Sequence, residues 1–99
     1  PSGMILASPP DAFAVQLIAL NDESAIIAYA LEQGIEQPIY AQTRTGDDAL
    51  FVLILGVYPD RGTADTARSE FVEGRRLAVS PWVRPLGPLQ QAVRALNAN

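Results

Sequence analysis

Side chains that commonly do chemistry are scarce in this sequence. Its 99 residues include no His, no Cys and no Lys; seven arginines against eleven acids leave a net charge of −4. The commonest general base, the thiolate nucleophile and the usual soft metal ligands are therefore missing. Two acids do sit side by side, Asp47 and Asp48, but within T-G-D-D, a turn signal where adjacent carboxylates read as solvated. No G-x-S-x-G and no phosphate loop is present. The expectation is a non-catalytic chain with no metal and no cofactor. Arg75-Arg76 follows Gly74 at the end of a helical stretch, which reads as a solvated pair at the helix's negative end. Gln16 stands out as the one polar residue in F-A-V-Q-L-I-A-L. It has two readings, a strand residue facing solvent or an amide facing a ligand.

Composition narrows the partners. Phosphate-contacting proteins are basic, so an acidic chain disfavours nucleic acid. No apolar run is long enough to span a bilayer, and no signal-peptide pattern opens the chain. The opening Pro1-Ser2-Gly3 suggests a domain cut from a longer protein. Residues 1–11, with Pro9-Pro10, read as a linker end, and residues 12–99 as one domain. Met4-Ile5-Leu6 is a small apolar island that either docks on the domain or is exposed.

The element that must position everything else is Ala49–Tyr58, A-L-F-V-L-I-L-G-V-Y. Its brevity and β-branched content mark a central strand. Alternation sends Phe51, Leu53 and Leu55 to one face and Leu50, Val52 and Ile54 to the other. Both sets are apolar, so both faces need a cover. Phe13–Leu20 is a second apolar strand. Gln37–Thr45 and Trp82–Leu86 are marked as edges by Pro38, Pro81 and Pro85. A helix capped by Asn21 or Asp22 runs to about Gln33, with Ile27, Ala30, Leu31 and Ile26 as its apolar side and Gly34 as its stop. A second is capped by Thr63, with Ala64, Ala67, Phe71 and Val72 as its buried side. A last one, Pro88–Leu96, carries Leu89, Val93 and Leu96 and frays at Asn97–Asn99.

This order is strand, helix, strand, strand, helix, strand, with an extra C-terminal helix. It predicts an α+β, ferredoxin-like βαββαβ fold. The four-stranded antiparallel sheet should have order 4-1-3-2, with the two main helices on one face. The other face would show Ala14, Gln16, Ile18, Leu50, Val52 and Ile54. An apolar face of that kind marks a binding surface or an intramolecular cover.

Three short motifs then resemble a known family. Val15-Gln16-Leu17 in the first strand, Leu55-Gly56-Val57-Tyr58 closing the third, and Pro81-Trp82-Val83-Arg84-Pro85-Leu86 in the last resemble, in this order, a SPOR domain, most like the DamX type. The resemblance implies a module of the bacterial cell envelope that binds septal peptidoglycan. Its ligand would be glycan strands stripped of stem peptides, held on the sheet face opposite the helices. It implies a periplasmic, septal location in a membrane-anchored parent protein, with division proteins as further partners. By position it assigns glycan binding to Gln16, Ile18, Leu50, Val52, Ile54, Trp82 and Arg84. The chain departs from the family pattern where Ile18-Ala19 follow V-Q-L and where Val52 and Ile54 stand at strand positions that often carry arginine.

Sugars present C–H faces that stack on rings and hydroxyls that need polar partners, which Trp82 and Gln16 can supply. Arg84 or Arg44 could meet lactyl carboxylates freed of their peptides. Trp82 also has a second reading, as a core residue packed on the last helix. Tyr40 and Tyr58 read as edge packing, and Ser24 as a cap residue. The competing function is protein interaction or homodimerisation through Ile18, Leu50, Val52 and Ile54, unless the last helix folds over that face and hides it.

Overall fold

The computed structural model describes residues 3–96. Pro1, Ser2 and the expected fraying at Asn97–Asn99 lie outside them. The elements run α1 (Gly3–Ala7), β1 (Phe13–Leu20), α2 (Glu23–Glu32), β2 (Ile39–Thr45), β3 (Asp48–Tyr58), α3 (Arg61–Val72), β4 (Trp82–Pro85) and α4 (Leu86–Leu96). The sheet is antiparallel in the order β2-β3-β1-β4. This is the expected ferredoxin-like arrangement, with the proline-marked strands at the edges.

Each face of β3 has its own core. On one face Val15, Leu17 and Leu53 pack with Ile26 and Ala30 of α2 and with Ala64 and Phe71 of α3. On the other, Ala14, Ala41, Val52 and Ile54 pack beneath Leu86, Leu89 and Val93 of α4 and Ile5 of α1. The fold therefore has three layers, helices, sheet and helices. The last helix takes the position that covers the second face. It starts at Leu86, directly after β4, rather than at Pro88.

Within the stretch read from sequence as a linker end, Ile5 and Leu6 of α1 contribute to this cover. Ile5 is fully buried. The buried Gln90 side chain of α4 donates through Nε2 to the carbonyls of Ile5 (2.9 Å) and Ser8 (2.7 Å). These bonds satisfy carbonyls that the one-turn helix α1 leaves open at its end. The Leu86 and Gly87 N–H groups donate to the carbonyls of Ala12 and Pro10. A Cβ on Gly87 would sit 3.2 Å from the Pro10 oxygen, so glycine lets the two segments approach closely.

The register of β1 on β3 slips twice around Gln16. Ala14 pairs with Val57, Gln16 with Ile54 and Ile18 with Leu53. β3 spends one extra residue in the first interval and β1 one extra in the second, so the slips cancel. A one-residue slip turns a side chain to the opposite face. Gln16 thus stays with Ile54, whereas Ile18 joins Leu53 on the α2/α3 face. Gly56 lies in the first slip. A Cβ there would be 2.8 Å from the Tyr58 hydroxyl, so the tyrosine needs a glycine beneath it.

Three helix details depart from expectation. In α2, Ile26 and Ala30 are buried, while Ile27 and Leu31 remain exposed. The helix is apolar nearly all round, so periodicity alone did not select the buried arc. The cap of α3 is Asp60 rather than Thr63; its Oδ1 accepts the Thr63 backbone N–H at 2.7 Å. Arg75, expected to be merely solvated, joins two helix ends. Its guanidinium donates to the carbonyls of Phe71 (2.7 Å) and Gln33 (3.2 Å) and stacks on the Phe71 ring at 4.0 Å.

Leu89→Ala should cost about 2–4 kcal/mol in denaturant unfolding, because it opens a cavity under α4. Gln90→Ala should speed amide exchange in residues 3–8 more than in β3, read by hydrogen exchange. Hydrogen bonds from Thr63 hold the Asp60 carboxyl below its ordinary pKa. A depressed carboxyl stabilises the fold above the ordinary value of about 3.9 and loses that contribution as pH falls through the folded pKa. Asp60→Asn should remove this component from an acid-unfolding curve.

Candidate functional site

The sheet edge opposite β2 carries the candidate site. β4 pairs with β1 so that Trp82 lies opposite Gln16 and Arg84 opposite Ala14. Paired residues share a face, so Gln16, Trp82 and Arg84 all lie on the side covered elsewhere by α1 and α4. The proline-bracketed edge strand holds Trp82 and Arg84 in a two-residue repeat. The cancelling slips in β1 keep Gln16 between them and β3.

The three side chains form a connected group. Arg84 Nη1 donates to Gln16 Oε1 at 2.7 Å. The guanidinium carbon lies 5.2 Å from the centre of the Trp82 ring, within cation–π range. Trp82 is 49% exposed, so it is not core packing on the last helix. Gln16 and Arg84 are half-buried. Burial pulls the Arg84 pKa below its ordinary value, which is so high that the group stays cationic at neutral pH. Its Nε is buried without a hydrogen-bond partner among the described residues.

The other expected site residues are not brought to this group. Val52 and Ile54 are 4% and 1% exposed beneath the α1/α4 layer. Their apolar character follows from that cover, since a charge at either position would be desolvated without a partner. Ile18 is on the opposite face. Leu50 is half-buried on the correct face, but it lies two strands across and four residues along from Trp82. Sheet spacings put their Cα atoms roughly 17 Å apart. Arg44 follows Thr43, which lies under the second-face layer, so alternation turns Arg44 to the other side. Tyr40 and Tyr58 pack against the α2/α3 core. Tyr40 donates to Glu23 at 2.8 Å, which raises its pKa, and burial raises that of Tyr58. Ser24 donates to Asp22 at 2.7 Å.

What sequence reasoning missed is the Gln16–Arg84 hydrogen bond, which joins residues 68 positions apart. The signal for it was indirect: two polar residues, Gln16 and Arg84, that strand alternation puts on the same face of the sheet. Two grooves lie away from this group. One groove of about 420 Å³ is lined by Met4, Gln37, Pro38 and Ile39, and another of about 410 Å³ by residues including Asp11, Val57 and Tyr58. In the Gln16–Trp82–Arg84 group the indole is the exposed part, and the other two side chains are half-buried beside it. Among the described residues no group of acids has the geometry to hold a metal ion, and no helix is long and apolar enough to cross a membrane.

Comparison with known families agrees with this architecture. The SPOR domain model matches residues 9–85, about three quarters of the chain. A search of curated proteins finds no match. SPOR domains are peptidoglycan-binding modules of septal, periplasmic proteins and not catalysts. The match spans all four strands and both helices of the βαββαβ unit, and on that ground the chain belongs to the SPOR domain family.

Proposed function

We propose that this domain binds peptidoglycan glycan strands that lack stem peptides, through the β1–β4 half of its second sheet face. The observation that carries the reading is the half-exposed Trp82 held beside Arg84 and Gln16, on the part of that face where α1 and α4 leave side chains accessible. A sugar ring stacks its C–H face on the indole. Gln16 has its carbonyl engaged by Arg84, which leaves its amide hydrogens for a sugar oxygen. The glycan-contacting residues are then Gln16, Trp82 and Arg84. The buried Val52 and Ile54 and the reversed Ile18 are excluded from direct contact.

The family supports a septal, periplasmic placement, and within this reading the parent protein is membrane-anchored and works beside division proteins. The alternative reading, homodimerisation through the apolar face, loses its support because α4 and α1 already occupy the apolar positions.

Co-sedimentation with isolated sacculi tests the proposal. Amidase pretreatment, which strips stem peptides, should increase the bound fraction. Trp82→Ala should weaken binding about tenfold, the equivalent of about 1.4 kcal/mol, with an unchanged melting temperature because the ring is half exposed. Equal binding by wild type and Trp82→Ala would remove Trp82 from the site. A folded wild-type protein that ignores both kinds of sacculi would overturn the function.

A further inference from the structure

The two edges of the sheet, β4 and β2, differ in how they are protected. β4 has four residues, ends on Pro85 and follows Pro81. β2 has seven residues, no proline within it and an unbroken register on β3. Short strands, prolines and bulges are common devices that keep an edge from pairing, and β2 has none of them. The two-residue turn Gly46-Asp47, with Gly46 at φ 62°, joins Thr45 to Asp48. Such a turn makes its flanking residues a hydrogen-bonded pair. Alternation then points the N–H and C=O groups of Ala41, Thr43 and Thr45 toward β3, and those of Tyr40, Gln42 and Arg44 outward. Among the described residues, no backbone hydrogen bond from outside the sheet reaches these three. Their side chains share the α2/α3 face. Tyr40 donates to Glu23 there at 2.8 Å, whereas no acid among the described residues pairs with Arg44, which is exposed.

We propose that β2 pairs with β2 of a second copy of this chain, antiparallel and two-fold symmetric about Gln42, so that two four-stranded sheets join into one. In this register Gln42 faces the partner's Gln42, and Tyr40 faces the partner's Arg44 on both sides of the axis. Every outward-pointing residue then meets another, and each pair exchanges two N–H···O bonds. Paired residues share a face, so the partner's Arg44 lies beside the Tyr40 ring and within reach of the Glu23 carboxylate bonded to it. Symmetry supplies that complementary contact twice. Other symmetric registers are poorer. Centring on Arg44 sets the two cations against each other. Centring on Ala41 or Thr43 leaves Arg44 opposite Pro38 or Gln42, away from Glu23. Centring on Tyr40 brings Pro38, which has no N–H, opposite Gln42. The contact is made by the sheet edge and leaves the apolar face under α1 and α4 untouched. Both copies of Gln16, Trp82 and Arg84 then lie on one side of the joined sheet. That consequence alone rests on the glycan-binding reading, within which it makes the dimer bivalent.

Sedimentation equilibrium, together with single cysteines placed in this cysteine-free chain, tests the pairing. A strand-to-strand contact is small and sits at the weak end of interfaces, so the wild-type mass should rise from 10.6 kDa at about 10 µM toward twice that value at about 1 mM. Arg44→Glu sets like charges together and should weaken the dimer about tenfold. Adding Glu23→Arg to it should restore the affinity to within about threefold of wild type, with native circular dichroism in both variants. Gln42→Cys puts two thiols across the two-fold axis with Cα atoms about 5.5 Å apart, inside the range a disulfide spans. Thr45→Cys puts its thiols roughly 20 Å apart. Under mild oxidation Gln42→Cys should form a covalent dimer about tenfold faster than Thr45→Cys. A wild type that stays monomeric at about 1 mM overturns the self-pairing and leaves the edge to a strand of another protein. Equal cross-linking of the two cysteine variants overturns the register about Gln42. Unchanged affinity in Arg44→Glu, or no recovery on adding Glu23→Arg, overturns the Arg44–Glu23 contact that specifies it.

Discussion

Val52 and Ile54 cannot face water, and neither can Leu53 between them. Antiparallel sheets usually solve this by making one face polar. Here the central strand is apolar on both faces, so the chain must supply two covers. α2 and α3 form one. The other comes from the two ends of the chain, α4 and the short α1, linked through the buried Gln90 side chain. Once the termini are committed to β2 and β3, the sheet's second face is divided. The covered part is apolar apart from the buried Thr43, and the part along β1 and β4 carries Gln16, Trp82 and Arg84.

That division explains the chemistry of the site. A broad open sheet could display ligand contacts on every strand. In this chain the accessible group is narrow and lies along an edge strand, with one aromatic plane, one cation and one amide in mutual contact. Val52 and Ile54 on β3, expected from the resemblance to meet the ligand, are buried under α1 and α4. They are the floor on which the second helical layer rests.

Much of this was legible in the residues. The strand order followed from the apolar run of β3 and the prolines of the edges, because a proline cannot donate to a ladder. Trp82 and Arg84 shared a face by simple alternation. Two things were not legible. The face of Ile18 depends on a pair of cancelling register slips, and a strict period of two places it beside Gln16 when it in fact turns away. The destination of α4 was open, since an amphipathic helix reveals that it will bury a side but not which surface receives it. Its Leu86, Leu89 and Val93 carried the pattern, and the unmet faces of Val52 and Ile54 were the complementary half. The docking of α1 was hidden for another reason. Its helix is too short to form alone, and its stability comes from Ile5 and the Gln90 bonds.

The central claim is that ligand meets the β1–β4 half of the second face while α1 and α4 stay in place over β2 and β3. Titration of isotope-labelled protein with a stem-peptide-free glycan oligomer, followed by amide and side-chain chemical shifts, tests it most directly. The account predicts the largest shifts at the Trp82 indole N–H, the Gln16 side-chain amide and the backbones of residues 14–16 and 82–85, with Leu89 and Val93 nearly still. Shifts centred on Val52, Ile54 and α4, showing that the helix leaves to admit the ligand, would contradict it.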